Sequence, residues 1–209
     1  MAIPLKSNED VNGIARVGRL VHRTLDRAAE LAAAGMTTGE LCAEAECIGL
    51  MEDAGFPLRG EEGRRGLEPF PAPCHVSVNE EVTHGVPSDR ELVDGNIVTV
   101  DVAMSLGGWC ARAAESYVIG QASKQTHKVS AVAHEALVRS IAAMTPWSRW
   151  SGTQRVMHEY VLGEGLFLVD NQAGHGIGRQ CWEEPTALNV MTARGQLHDF
   201  VLAPGTVLV

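Results

Sequence analysis

No stretch of the 209 residues approaches the roughly 20 consecutive apolar positions that a membrane-spanning helix needs. A membrane is therefore not an expected partner. The opening residues Met1-Ala2-Ile3-Pro4-Leu5-Lys6 lack the charged-then-apolar pattern of a secretory leader. Basic charge is in short supply: 17 Lys and Arg stand against 26 Asp and Glu, a net charge of −9. Such a chain gains little from a phosphate backbone, so nucleic acid is not an expected partner either. Its basic cluster, Arg59, Arg64 and Arg65, is interrupted by Glu61, Glu62 and Glu68 and reads as a solvated loop. No Cys-x-x-Cys pair occurs among Cys42, Cys47, Cys74, Cys110 and Cys181, so a structural zinc site is not indicated. An odd cysteine count without framework spacing fits thiols in a reducing cytoplasm, the expected location. Fixed-period repeats and low-complexity tracts are also absent.

What remains is an ordinary globular composition, 45% hydrophobic and 21% charged. Its length suits a single domain spanning 1–209. Ser7 followed by Asn8, Glu9 and Asp10 is a helix start. Val11, Ile14, Val17, Leu20, Val21, Leu25, Ala28 and Leu31 then recur at helical spacing as far as about Ala34, before Gly35. Thr37-Thr38-Gly39-Glu40 is a capping-box pattern for a second helix that reaches about Asp53. Gly55 to Pro73, rich in Gly, Pro and charge, reads as a long surface loop.

His75–Val78 reads as a short strand and Asn96–Met104 as a mostly buried one. Trp109–Ile119 pairs back through the turn signal Leu106-Gly107-Gly108. Gly120 and Ser123 introduce a third helix with Val129, Val132, Ala133, Ala136, Leu137 and Ile141 on one core face, ended by Pro146. Ser151-Gly152-Thr153-Gln154 reads as a capping box for a fourth helix to about Leu162. Leu166–Val169 and Thr206–Val209 read as strands. Two helices, a hairpin, two helices, then strands: the order half repeats, and the class is α+β, helices on one face of a largely antiparallel sheet.

Two segments carry a sharper message. Asn79-Glu80-Glu81-Val82-Thr83-His84-Gly85-Val86-Pro87 and Gly174-His175-Gly176-Ile177-Gly178-Arg179 resemble the signature segments of type I methionine aminopeptidases. The opening with Arg16-Val17-Gly18-Arg19-Leu20, the stretch Gly35–Leu41 and the strand Asp94–Val102 are similar to further segments of that family, in the same order. The resemblance implies the pita-bread fold over essentially all 209 residues, with the family's C-terminal strands lacking a counterpart. It also implies a dinuclear metal site of two Asp, one His and two Glu. Asp101 matches the first Asp and His175 the His; Arg112 stands where the second Asp is expected, and the two Glu would fall beyond Val209. His84 matches a histidine that contacts the substrate nitrogen. Trp182 takes the place of a second catalytic histidine, and His75 and Cys181 fall at side-chain-pocket positions.

The residues themselves can be read for chemistry. A hairpin turn centred on Leu106-Gly107 sets Asp101 opposite Arg112; a centre one residue later pairs Asp101 with Ala114 and leaves Arg112 on the diagonal. Either register keeps both side chains on one face, where they form a salt bridge. A fixed cation there repels a divalent one. Such cross-strand pairs are also ordinary on hairpins. His84 and His175 are candidate acid/base groups near neutral pH, expected to face one pocket. Glu183 or Glu184 is the best remaining carboxylate, one toward the cleft and one toward solvent, with Glu183 favoured. Cys110 and Cys181 beside a His could be nucleophiles, but buried inert thiols are the plainer reading. The Gly174-x-Gly176-x-Gly178 spacing fits neither a dinucleotide loop nor a P-loop.

These readings lead to a methionine-aminopeptidase-like protein without its dinuclear metal and without another cofactor. The expected use is acid/base chemistry (isomerase, lyase, cyclase or hydrolase) on a small carbonyl-bearing or anionic substrate, as in a biosynthetic pathway. His84, His175 and Glu183 are the expected catalytic groups; Asp101, Arg112, Trp182, His75 and Cys181 the expected binding groups. Histidine-using, metal-free members of the wider creatinase-like superfamily make this credible by analogy. Two other readings stay open: a non-catalytic pseudoenzyme that binds a peptide or partner protein, and a truncated metal-dependent aminopeptidase. A homodimer or partner chain covering the C-terminal edge strand is also expected.

Overall fold

The computed structural model describes residues 2–61, 68–170, 172–191 and 199–209. Arg64 and Arg65 of the basic cluster, with the rest of 62–67, lie outside them, as do 171 and 192–198. The described elements run α1 (Asn8–Leu31), α2 (Thr38–Met51), β1 (Cys74–Val78), β2 (Ile97–Leu106), β3 (Trp109–Val118), α3 (Lys124–Ala143), α4 (Trp150–Gly163), β4 (Ala173–Gly176) and β5 (Glu183–Leu188). Helices and antiparallel sheets make the fold α+β, as the sequence implies. The chain divides into two compact units, Asn12–His127, and Met1–Val11 with Lys128–Val209.

Helix α1 opens with a reciprocal cap: Ser7 Oγ accepts from the Asp10 amide at 3.2 Å, and Asp10 Oδ2 accepts from the Ser7 amide at 2.9 Å. Its buried stripe, Ile14, Val17, Leu20, Val21, Leu25 and Ala28, has the predicted helical period. The capping box of Thr37 and Glu40 starts α2 as predicted. In the first unit α2 packs on β1, and the Tyr117 hydroxyl of β3 donates to Leu25 O of α1 at 2.8 Å. There β1–β2–β3 form an antiparallel sheet in that order, and every residue of β1 is buried.

Gly107 and Gly108, with φ of +60° and +78°, make a two-residue turn that pairs Leu106 with Trp109. Positive φ at both positions is what a tight right-twisting hairpin demands and what glycine allows without strain. The segment from Gly55 to Pro73 is less of a surface loop than its composition suggests. Gly55 pairs with Ser105, Leu58 is fully buried, and Gly60 and Glu61 exchange backbone hydrogen bonds with Phe70. Backbone pairing and one apolar anchor hold its ends despite their Gly and charge content.

In the second unit Val132, Ala136 and Val161 form the heart of the α3–α4 packing, joined by Met157, Tyr160, Leu166 and Leu168. Three expectations need correction here. Leu166–Val169 is not a strand. The alternation reflects Leu166 and Leu168 packing against the helices while Phe167 stays 84% exposed, and the Leu166 amide closes the end of α4 by bonding Val161 O. Ser151 does not cap α4. The N-cap is Arg149, and the carboxylate of Asp199, distant in sequence, accepts from the Ser151 amide at 2.9 Å and from its hydroxyl at 3.0 Å. Only part of the α3 stripe is core: Val132 and Ala136 are buried, while Val129, Leu137 and Ile141 are exposed and border a cavity of 480 Å³.

β4 and β5 pair antiparallel. The segment 207–209 lies along the other edge of β4, with His175 and Val209 exchanging both backbone bonds at 2.9 Å. The predicted strand Thr206–Val209 is thus a short bridge at Leu208. No described helix is long and apolar enough to cross a membrane.

Candidate functional site

The first unit assembles four of the predicted side chains on one face of its sheet. The two-residue turn selects the second of the two registers: Asp101 faces Ala114 on β3 and His75 on β1, while Arg112 faces Ala103 and lies diagonal to Asp101. An Arg side chain is long enough to span that diagonal. Arg112 Nε donates to Asp101 Oδ1 at 2.9 Å and Nη2 donates to Oδ2 at 2.5 Å, a two-pronged ion pair with both side chains largely buried. His75, 1% exposed, brings Nδ1 to 3.1 Å from Asp101 Oδ2. Burial alone would raise the Asp101 carboxyl; the Arg112 and His75 hydrogen bonds and charges outweigh it and hold its pKa at about 2.

His84 reaches this cluster because of its own segment's backbone. Asn79 takes a positive φ of 54° and ties back to β2, its Oδ1 accepting from the Ile97 amide at 3.0 Å. Glu81 Oε2 then accepts from the Val78 amide at 2.7 Å. Gly85 lies against β1: its amide donates to Ser77 Oγ at 3.0 Å and its carbonyl accepts from the Val76 amide at 3.0 Å. A Cβ on Gly85 would sit 2.3 Å from Val76 O, so no other residue fits there. His84 itself, at φ +58°, occupies the left-handed region that a bulky residue adopts only when its surroundings hold it. Its Nδ1 lies 3.3 Å from His75 Nε2, with ring centroids 4.6 Å apart, and its side chain is solvent-exposed.

Two further residues of this cluster were not singled out from sequence. Phe70 sets its ring edge-on to His75, centroids 4.4 Å apart at 79°. Glu61, counted in the sequence as one more charge in a loop, is partly buried. Burial raises its carboxyl above the usual range, against the pull of Arg112 and His75. No spacing rule marks either residue; both depend on how the Gly55–Pro73 segment is anchored.

The donor set around Asp101 does not fit a divalent cation. Both carboxylate oxygens accept from the Arg112 guanidinium and Oδ2 also meets His75, so an ion would have to approach a fixed positive charge. Among the described residues of either unit, no group of three His, Cys, Asp or Glu side chains is arranged to hold a metal ion.

The second unit holds the other predicted residues. Two glycines of Gly174-His175-Gly176-Ile177-Gly178, Gly174 and Gly176, serve close backbone approach. A Cβ on Gly174 would meet Val209 O at 2.5 Å, and one on Gly176 would meet Glu184 O at 2.2 Å. His175 Nδ1 lies 2.9 Å from Gly176 O, an acceptor only, so that nitrogen carries the proton and Nε2 is the basic one in the neutral ring. Trp182 tilts over the His175 ring with centroids 5.7 Å apart, and Cys181 and Cys110 are buried.

Glu183 does not stand open toward a cleft. Its carboxylate is paired with Lys6 at 2.5 Å and accepts from the Gln180 amide at 3.0 Å. Burial would raise its pKa, but Lys6 and these bonds bring it below the ordinary value, which is the wrong direction for a proton donor at neutral pH. Glu184 is half-buried and accepts from the Thr186 amide at 3.2 Å. The structure thus brings together His75, His84, Asp101 and Arg112 in one unit, and His175, Cys181 and Trp182 in the other.

Comparison with known proteins bears on the family and the fold. The sequence model of metallopeptidase family M24 matches residues 12–209. The methionine aminopeptidase of Clostridium acetobutylicum is 31% identical over 205 residues, covering 96% of this chain and 80% of that protein. That of Clostridium perfringens is 30% identical over 187 residues, 90% of this chain and 73% of its own length. Among solved structures, the methionine aminopeptidase of Thermotoga maritima matches with a TM-score of 0.90 at 26% identity, covering 99% of this chain and 80% of that one. The prolidase of Pyrococcus furiosus shares the fold, with a TM-score of 0.81 at 19% identity over 98% of this chain and 56% of that one.

Proposed function

The chain belongs to metallopeptidase family M24, with the methionine-aminopeptidase-like pita-bread fold, and from that premise we propose that it uses the scaffold as a metal-independent acid/base catalyst. The observation that carries the reading is the Arg112 guanidinium bound to both oxygens of Asp101. A permanent cation sits where the family resemblance calls for a second metal-binding carboxylate. It removes a ligand and at the same time offsets the Asp101 charge that a metal would otherwise offset.

In this reading His84, in the first unit, exchanges protons with a small carbonyl-bearing or anionic substrate, and His175 is the acid/base candidate of the second. His175 Nδ1 donates to Gly176 O, which leaves Nε2 as the basic nitrogen of its neutral ring. Trp182 forms an apolar wall beside His175. Proton transfer of this kind serves an isomerase, lyase, cyclase or metal-free hydrolase. Glu183 is left out of the catalytic set because its partner is Lys6. A homodimer belongs to the same proposal: exposed Leu137, Ile141 and Phe167 in the second unit give a second copy an apolar surface to cover.

The second reading is a metal-dependent methionine aminopeptidase. The names and 30–31% identity of the clostridial relatives favour it. Methionyl-peptide cleavage with and without added cobalt or manganese separates the two. The proposal expects background rates in both. Cleavage that rises with the added ion would overturn it.

A further inference from the structure

Asp101, His75 and His84 form an unbroken chain of hydrogen-bonding atoms: Asp101 Oδ2 to His75 Nδ1 at 3.1 Å, then His75 Nε2 to His84 Nδ1 at 3.3 Å. The donor directions follow from valence. An ionised carboxylate only accepts, so His75 Nδ1 carries the proton. The Nε2 of a neutral imidazole must then accept, so His84 Nδ1 is the donor. In the neutral His84 ring the lone pair is then on Nε2. In water, neutral histidine prefers the opposite tautomer, with its proton on Nε2. The chain therefore imposes on His84 a state that it would not choose alone.

The surroundings hold this arrangement at both ends. His75 is 1% exposed and wedged edge-on against Phe70, so its ring has one orientation. The His84 backbone is fixed at φ +58° by the two hydrogen bonds that Gly85 makes to Ser77 and Val76, on the strand that also carries His75. A left-handed histidine next to a glycine that lies on β1 is a geometry the surroundings must enforce. One result of it is that the His84 ring meets the His75 ring edge-on, at an interplanar angle of 72°.

We infer that His75 is a positioning residue: with Asp101 it fixes His84 as the Nδ1–H tautomer, the form of the neutral ring whose lone pair is on Nε2. Asp101 supplies little net charge to this relay, since Arg112 neutralises it through two hydrogen bonds. The contribution of the relay is thus tautomer and orientation. In the step it serves, a substrate C–H or O–H proton moves to His84 Nε2 and the bonding pair stays on the substrate. His84 then carries the positive charge, with its Nδ1–H still directed at His75. Use of His84 in that step rests on the acid/base reading above; the relay itself does not.

The test reads the tautomer directly. Nitrogen NMR of histidine-labelled protein, at a pH where the imidazoles are neutral and with the His84 signals assigned by their loss in His84→Gln, should show a protonated Nδ1 and an unprotonated Nε2. His75→Leu should move His84 to the Nε2–H form, and its Nε2 signal from the pyridine-type to the pyrrole-type end of the range. His75→Gln, whose amide donates to Asp101 and whose carbonyl accepts from His84, should restore the wild-type pattern. An Nε2–H tautomer in the wild-type protein, or no change in His75→Leu, would overturn the inference. Should His75→Leu fail to fold, the wild-type spectrum and the His75→Gln variant still decide. Metal-stimulated peptide cleavage together with the expected tautomer would sink the acid/base reading and leave the relay standing.

Discussion

Replacing Arg112 with Leu removes both hydrogen bonds and the charge that hold Asp101 in a largely buried position. Breaking a fully buried pair from one side typically costs about 3–5 kcal/mol, because the remaining charge is stranded. Here Asp101 keeps its bond to His75, and the two side chains are 14% and 12% exposed. These features bring the expected loss to about 2–3 kcal/mol. For a chain of this size that corresponds to a fall in Tm of about 5–10 °C. The loss should also depend on pH, and its sign follows from which state is charged. In the parent, Asp101 stays ionised down to about pH 2. In Arg112→Leu its pKa rises, so mild acid neutralises the stranded carboxylate and relieves the penalty. Thermal melts at pH 7 and pH 4 should therefore show a large deficit that narrows on acidification. Asp101→Asn in the same background should recover most of it. A deficit below about 1 kcal/mol, or one independent of pH, would refute the view that this pair is a buried, mutually dependent unit.

Three other outcomes follow from the same geometry. The folded pKa of Asp101 lies below its ordinary value of 3.8, so the stability it contributes is present above that value and is lost as pH falls toward about 2. Urea unfolding between pH 5 and pH 3 should register the beginning of a loss on the order of 2 kcal/mol in total, and Asp101→Asn should lack it. Arg112→Asp sets two carboxylates on one sheet face; it should melt lower than the parent without metal and rise when manganese is added, while the parent stays unchanged. Lys6→Met leaves Glu183 with the backbone of Gln180 and Arg179 but no cation paired to it, so it should destabilise the second unit by about 2 kcal/mol and move the Glu183 carboxyl upward, measured by melting and by carboxyl NMR.

Much of the fold was legible because it is local. The α1 stripe from Ile14 to Ala28, the Thr37–Glu40 cap and the Gly107-Gly108 turn each announce themselves within a few residues. The Asp101–Arg112 pair was legible for the same reason, since strand faces alternate, although the register was left to the turn to decide. What escaped depends on distant partners. Asp199 supplies the cap of α4 from about fifty residues away, Lys6 claims Glu183 from the other end of the chain, and Leu166 and Leu168 pack on helices while mimicking a strand. The link between His75 and His84 escaped because it needs a positive φ at a non-glycine residue, which no periodicity reveals.

Elemental analysis of protein purified without chelator tests the central claim most directly. With Arg112 holding both oxygens of Asp101, the account predicts well under one equivalent of cobalt, manganese, iron or zinc per chain. One equivalent or more, retained through gel filtration, would contradict it.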